Sequence, residues 1–293
     1  MSNYQPGILQ TEIPLARYLT FSVVTVDDIT STLRVLAAQT NGDDTVVGIG
    51  QSLVAALGRN IDGLRVLPVL TGSAIEIPST PAALWVWLRG NDRGKLFHRS
   101  RQIESLLLPN FSLDDVLDCF PYDVNRDLAG YEDGTENPQD EEAIDTVIVQ
   151  GQGAGLDGSS FVAVQQWLHD FDYFESLDQQ EQDNTFGRRR ADNEEFDAAP
   201  ESAHVKRTAQ ESFSPEAFIV RRSMPWSDGV RGGLNFVAFG KSFDAFEAIL
   251  HRMTGLEDGI SDALFTFTRP LNGAYYWCPP MKNGKLDLSV LGL

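Results

Sequence analysis

The sequence predicts an α+β fold in which two ferredoxin-like halves join their antiparallel sheets, as in a dimeric α+β barrel. The first half of the chain alternates strand-like and helix-like segments, and we expect it to form the order β-α-β-β-α-β of a ferredoxin-like unit. The second half follows a similar order after a Gly- and Ser-rich stretch at residues 151–160. A length of 293 residues suits two such units. We therefore expect an N-terminal half over residues 1–150 and a C-terminal half over residues 151–293.

The elements of the first half follow from local patterns. Segments rich in β-branched and aromatic residues predict strands, and segments with helical spacing behind a capping residue predict helices. Gly58 is a natural end for the second helix, because glycine adopts the left-handed conformation that closes helices. The expected strands are 17–26, 45–49 and 82–88, and the expected helices are 27–38, 51–57 and 93–108.

The second half repeats this scheme without visible sequence identity to the first, so the repeat rests on element order alone. An acidic, irregular stretch at 192–202 leads to His204. The expected strands are 160–169, 218–226, 234–239 and 274–278, and the expected helices are 173–186, 242–253 and 260–265. Because two ferredoxin-like halves usually fuse their sheets, we expect no hinge between them.

The composition restricts the class of partner. The chain has 42 acidic and 23 basic residues and a formal net charge of −19, which repels nucleic-acid phosphates and anionic membrane surfaces. No apolar run approaches the roughly 20 residues of a spanning helix, and the first ten residues lack a signal-peptide pattern. These features predict a cytoplasmic protein with no nucleic-acid or membrane partner. Cys119 and Cys278 are expected to be buried free thiols.

Residues 130–138, Gly-Tyr-Glu-Asp-Gly-Thr-Glu-Asn-Pro, place Asp133 between two glycines in a loop that ends at a proline. Asp-Gly is also a common turn pair, so a purely structural turn is the alternative. Among the four histidines, His204 stands out because it follows the acidic stretch and precedes two basic residues. His98, His169 and His251 have ordinary explanations as surface or core residues.

Arg221 lies within an apolar strand pattern. Successive strand residues face opposite sides, so only one of Arg221 and Arg222 can point into a buried site. A buried arginine needs an anionic partner, which Asp133 or a bound carboxylate would supply. Arg188 begins a basic triplet that is either a solvated patch or an anion site.

These motifs resemble those of the dye-decolourising peroxidases, in particular the compact bacterial subgroup often called class B. The resemblance rests on Gly-x-x-Asp-Gly at 130–134 with Thr-Glu-Asn-Pro behind it, on the downstream His204, and on Ile-Val-Arg-x-Ser at 219–223. It extends over nearly the whole chain, from 7–9 to 275–277. It implies a peroxidase that reduces hydrogen peroxide and oxidises bulky organic reductants, such as dyes and phenols, through a ferryl intermediate. The chain has no Cys-x-x-Cys-His motif, so the implied cofactor is non-covalent haem b.

The resemblance also implies roles for single residues. It makes His204 the iron ligand and Asp133 and Arg221 the catalytic acid and arginine on the opposite face of the haem. Ser223, two residues after Arg221, stands where some family members carry Asn. It is expected to act with Asp133 and Arg221 through a water molecule. The residues expected to hold the cofactor are Arg188, Thr135, Glu136 and, as the acceptor for the imidazole of His204, Asp262.

Several alternatives remain open on the sequence. The same ligands would serve a haem-handling protein for storage, transfer or iron retrieval, and a ferredoxin-like barrel without haem would be a binding module. The C-terminal stretch 285–293 faintly resembles peptides that dock enzymes into protein shells, and a homo-oligomer is expected from the family. Five aromatic residues are either core residues or surface electron-transfer sites: Trp167, Trp226, Tyr275, Tyr276 and Trp277.

Overall fold

The computed structural model describes residues 2–293 and contains the following elements. The strands are β1 (Leu15–Val23), β2 (Thr45–Ile49), β3 (Leu84–Gly90), β4 (Phe111–Cys119), β5 (Ser160–His169), β6 (Val220–Arg221), β7 (Met224–Asp228), β8 (Arg231–Gly240), β9 (Thr268–Pro270), β10 (Ala274–Cys278), β11 (Met281–Lys282) and β12 (Lys285–Leu286). The helices are α1 (Ile29–Gln39), α2 (Gln51–Ala56), α3 (Arg93–Leu107), α4 (Asp140–Val147), α5 (Phe171–Ser176), α6 (Gln179–Phe186), α7 (His204–Arg207) and α8 (Asp244–Met253).

The two halves have the same sheet topology. In the first half, the strand order is β4-β1-β3-β2 with antiparallel neighbours. In the second half, β10-β5-β8-β7 repeats that order, again antiparallel. The short strand β6 pairs with β8 in register with β7, and β9 pairs with β5 beside β10. The predicted ferredoxin-like halves are therefore confirmed, while the boundary at residue 150 stays a prediction.

The two sheets close into one ring. β4 meets β7 where Cys119 pairs with Trp226, and β2 meets β10 where Ile49 pairs with Trp277. The ring order is β8-β7-β4-β1-β3-β2-β10-β5, with β5 paired back to β8. The expected fused sheets are thus present as a closed barrel of antiparallel strands.

The barrel interior is filled by side chains. β3 and β8 lie on opposite sides of the ring, yet the rings of Trp87 and Phe239 are 6.1 Å apart. Tyr18, Trp85 and Tyr276 join this cluster, with Trp85 stacked between the other two. A barrel of this size has just enough interior for packed side chains. The functional cavity therefore has to lie outside the barrel, where the helices cover the sheet.

Two predicted helices differ from the structure. The helix expected over 173–186 is two helices, α5 and α6, because Asp178 adopts an extended conformation and forms a capping box with Glu181. The helix expected over 260–265 is only a 3-10 turn, Ala263–Thr266, capped by Asp262. The sequence patterns for strands 45–49, 160–169 and 274–278 are confirmed to the residue.

The C-terminal stretch packs on the body of the protein. β11 and β12 form a short hairpin, and Leu286, Leu288 and Leu291 are buried in the main core. Among the helices of residues 2–293, none is both long and apolar enough to span a membrane.

Candidate active site

Asp133 lies at the end of a tight hairpin that spans Asn125 to Asp133. The Asp133 N–H donates to the Asn125 carbonyl at 3.0 Å, and the Asp127 N–H donates to the Tyr131 carbonyl at 2.9 Å. The turn needs a left-handed residue, which Gly130 supplies with φ of 90°. Gly134 leaves the hairpin in the same left-handed region, with φ of 73°. The two glycines of the motif therefore bracket Asp133 for conformational reasons.

Asp133 forms an ion pair with Arg221. Arg221 Nη1 lies 3.2 Å from Asp133 Oδ1, and both side chains are mostly buried. Asn137 fixes the backbone of Arg221 on both sides: the Arg221 N–H donates to Asn137 Oδ1 at 2.8 Å, and Asn137 Nδ2 donates to the Arg221 carbonyl at 3.0 Å. The Asn of the loop motif thus holds the loop and β6 together. Arg222 faces the other way and donates to the carbonyls of residues 8 and 9.

His204 begins α7 and is held by Asp262. His204 Nδ1 lies 2.7 Å from Asp262 Oδ2, and the Asp262 side chain is fully buried. The other oxygen, Asp262 Oδ1, accepts from the Leu264 N–H at 2.9 Å, so this carboxylate is an acceptor on both sides. His204 Nδ1 therefore carries the proton, and Nε2 keeps its lone pair. Nε2 forms no hydrogen bond with any described residue.

Arg188, Thr135 and Glu136 meet at the edge of the same site. Arg188 Nη1 donates to Thr135 Oγ1 at 3.0 Å, and Nη2 contacts Glu136 at 3.0 Å and Glu195 at 2.5 Å. The guanidinium is largely buried, while both carboxylates are more than half exposed. Arg188 is therefore a buried cation at a rim that carries negative charge.

One cavity joins these groups. It lies between the outer face of β5 and β8 and the inner face of α8, and many of its walls are apolar. Ser223 does not line it; its Oγ accepts from the Val237 N–H of β8 at 3.4 Å. The predicted site residues that do line the cavity are Asp133, Thr135, Glu136, Arg188, His204 and Arg221.

Comparison with known proteins assigns the family. Residues 124–283, more than half of the chain, match the family model "Dyp-type peroxidase, C-terminal". The chain belongs to the Dyp-type peroxidase family. It is 31% identical over 214 residues to a dye-decolorizing peroxidase of Brevibacterium linens, covering 71% of this chain and 58% of that protein. It is also 31% identical over 245 residues to one of Rhodococcus erythropolis, covering 80% and 71%.

Solved structures agree with this assignment. A variant of DypB from Rhodococcus jostii RHA1, solved in complex with heme, superposes with a TM-score of 0.83 at 25% identity over 93% of this chain and 94% of that one. The dye-decolorizing protein from V. cholerae superposes with a TM-score of 0.84 at 25% identity over 98% of both chains.

This Dyp-type family member has cavity residues that sequence reasoning missed. His169 and Asp127 line the cavity and contact each other at 2.9 Å. Tyr131 also lines it: its hydroxyl donates to Asp183 at 2.6 Å, and burial together with this bond raises its pKa far above the ordinary value. Strand alternation was the available signal for His169, because Gln165, Trp167 and His169 share the face of β5 that lines the cavity.

The aromatic candidates for surface electron transfer are core residues. All five are buried, with exposed fractions between 0% for Trp277 and 7% for Trp167. Only Trp167 among the five lines the cavity in the described part of the chain. Of the two alternatives for these aromatic residues, the core therefore fits and the surface site does not. Cys119 and Cys278 are buried free thiols as expected, and burial raises the pKa of both.

Proposed function

We propose that this chain is a haem-dependent peroxidase that reduces hydrogen peroxide and oxidises bulky organic reductants such as dyes and phenols. The observation that carries the proposal is the content of one cavity. It contains an imidazole with a free Nε2, fixed by Asp262, together with an ion pair of Asp133 and Arg221. Membership of the Dyp-type peroxidase family and the heme complex of the DypB variant support it.

The residues of the cavity fit a non-covalent haem b. Its apolar walls suit a flat macrocycle, since such sites are mostly hydrophobic with a few placed polar groups. Trp167 Nε1, Gln165 Nε2 and Arg221 Nε are buried donors with no partner in residues 2–293, and such donors need an oxygen acceptor that a bound group would supply. The apolar lining residues include Ile219, Leu234, Phe236, Phe246, Ile249, Leu250, Met253 and Leu264.

Two groups would hold the cofactor. His204 would bind the iron through Nε2, with Asp262 increasing the basicity of the imidazole through Nδ1. Arg188, with Thr135 beside it, would face a haem carboxylate, because a buried guanidinium suits that partner. Glu136 and Glu195 already contact Arg188 and are exposed enough to turn toward solvent when the cofactor is bound.

The protein's own groups would manage protons and charge. Bound haem would supply the redox chemistry, in which two electrons reduce peroxide and the organic reductant returns them in single-electron steps. A carboxylate oxygen of Asp133 would take the proton from one peroxide oxygen and deliver it to the other, which leaves as water. Arg221 would stabilise the negative charge that develops on the leaving oxygen. Ser223 would contribute through a water molecule, since its side chain is not at the cavity wall.

Haem titration tests the proposal. We expect the purified chain to bind one haem with a strong Soret band and then to consume peroxide rapidly in the presence of a dye or phenol. A protein that stays colourless after haem addition contradicts the cofactor and favours the binding module. A protein that binds haem but turns over peroxide no faster than free haem contradicts the enzyme and favours haem handling.

The cellular setting is proposed from the sequence composition and the family. We expect a cytoplasmic homo-oligomer, and light scattering on the haem-loaded protein measures its size. Docking into a protein shell would require the C-terminal stretch to leave the core that holds Leu286, Leu288 and Leu291. Co-purification with a large shell is the observation that would support docking.

A further inference from the structure

The cavity contains a second histidine–carboxylate pair, His169 with Asp127. His169 is the last residue of β5, and Asp127 lies at the turn of the hairpin that ends at Asp133. His169 Nε2 is 2.9 Å from Asp127 Oδ2, and both residues are buried, with 8% and 7% of their surface exposed. The mechanism derived above uses neither residue.

The hydrogen bonds of this pair occupy both ring nitrogens. The Asp127 carboxylate only accepts, so His169 Nε2–H donates to it at 2.9 Å. The Thr268 hydroxyl oxygen lies 2.7 Å from His169 Nδ1 and 3.1 Å from the Leu168 carbonyl. Both ring nitrogens are therefore engaged, and His169 has no lone pair to offer a metal. The pair is a link between β5, β9 and the hairpin.

Asp127 holds the turn of the hairpin from the inside. Its Oδ1 accepts from the Ala129 N–H at 2.7 Å, and its carbonyl accepts from the Gly130 N–H at 2.8 Å. The same carboxylate thus organises the turn with one oxygen and reaches His169 with the other. Since the hairpin is closed at its far end by Asn125 and Asp133, a movement of the turn is passed to Asp133.

We propose that His169 and Asp127 are positioning residues for Asp133. Their pair anchors the hairpin turn to β5 and β9, and this sets the place of the Asp133 carboxylate beside Arg221. The proposal rests on the proposed function for its catalytic consequence. A buried, charge-assisted hydrogen bond suits this task because it is short and directional. Tyr131 attaches the hairpin separately to α6 through Asp183, so loss of His169 leaves the hairpin attached on one side.

Hydrogen exchange of residues 125–133 tests the anchor. In the haem-loaded protein, His169→Leu should increase exchange of the Ala129, Gly130 and Asp133 amides about tenfold or more. His169→Gln places an amide donor near the position of Nε2 and should restore most of the protection. The control His98→Leu changes an exposed histidine on α3 and should leave this hairpin unchanged. Parental exchange in His169→Leu overturns the proposal.

Peroxide kinetics test the consequence for Asp133. A misplacement of about 1 Å can cost on the order of 100-fold in rate. We expect His169→Leu to slow the reaction with peroxide by about 10- to 100-fold, with the Soret band and the KM for the organic reductant unchanged. In an Asp133→Asn background, His169→Leu should have no further effect, because it acts through Asp133. Additive losses in the double variant would overturn the positioning role.

Two further arms keep the outcomes separate. If His169→Leu does not fold, Asp127→Asn tests the same anchor, because Asn has one acceptor oxygen where Asp127 uses two, one for the Ala129 N–H and one for His169 Nε2. Its hairpin exchange should rise above that of the parent; parental exchange again contradicts the anchor. If the parent itself does not react with peroxide, the proposed function fails, while hairpin exchange still shows whether His169 anchors the turn.

Discussion

Two histidines line the same cavity, and each pairs with a carboxylate in a different way. Asp262 accepts a hydrogen bond from His204 Nδ1 and leaves Nε2 free. Asp127 accepts from Nε2 of His169, while the Thr268 hydroxyl is the partner of Nδ1. The partner of the second nitrogen therefore decides which imidazole can bind a metal and which one can only hold structure. The presence of a carboxylate does not separate the two.

The largest effect is expected when each imidazole is removed in turn. His204→Ala should abolish haem binding, because loss of the ligand exceeds the roughly 10- to 100-fold cost of losing a second-shell partner. His169→Ala should bind haem like the parent. The measurement is a Soret titration of both variants. Loss of the Soret band in His169→Ala with retention in His204→Ala would reverse the assignment of the two pairs.

The sequence predicts His204 and Asp262 as site residues, but it does not predict the pair of His169 and Asp127. His204 was found because it stands in an acidic context, and Asp262 because of the family resemblance. His169 ends a strand that was predicted to the residue, but its partner Asp127 lies 42 positions away in sequence. Only the closed barrel brings that hairpin to β5, and no local pattern encodes a contact of that kind.

The same limit explains the errors in the fold. Strands with strong β patterns were predicted, whereas the break between α5 and α6 depends on a capping box at Asp178 that competes with continued helix. Asn137 belongs to the loop motif, yet its two hydrogen bonds to the backbone of Arg221 are visible only in the tertiary structure. Side chains that join distant elements are the part that local reasoning leaves open.

A second test concerns Asp133, whose carboxylate pairs with the guanidinium of Arg221 and not with an imidazole. Asp133→Asn and Arg221→Leu should each slow the peroxide reaction by about 100- to 1,000-fold, since each removes a group that acts on the leaving oxygen. Haem affinity should stay near that of the parent. Stopped-flow absorption at the Soret band measures the rate.

Asp123→Asn is the matched control for that test. Asp123 lies just before the hairpin, its side chain is 59% exposed, and its φ of 48° is one that Asn tolerates. The control should react like the parent. If Asp133→Asn also reacts like the parent, Asp133 does not handle the proton.

A third test sharpens the comparison at Asp262. Asn is isosteric with Asp but has one acceptor oxygen, while Asp262 accepts from both His204 Nδ1 and the Leu264 N–H. Asp262→Asn must therefore lose one bond or turn its NH2 group toward a donor. We expect about a 10- to 100-fold loss in haem affinity or peroxide rate. A variant equal to the parent in both would show that His204 does not depend on Asp262.

The smallest effect is expected from the far side of the second pair. Thr268→Val removes the partner of His169 Nδ1 and leaves a buried ring nitrogen without a hydrogen bond, which should lower the free energy of unfolding by about 1 kcal/mol. Thr266→Val is the control, because Thr266 is exposed and should stay within about 0.5 kcal/mol of the parent. Urea unfolding at constant m-value measures both. Because Asp127 remains bonded to Nε2, haem binding should be unchanged and the peroxide rate should fall only a few-fold. A Thr268→Val protein as stable as the parent would mean that His169 does not need its Nδ1 partner, and the contrast with His204 would then rest on Asp127 alone.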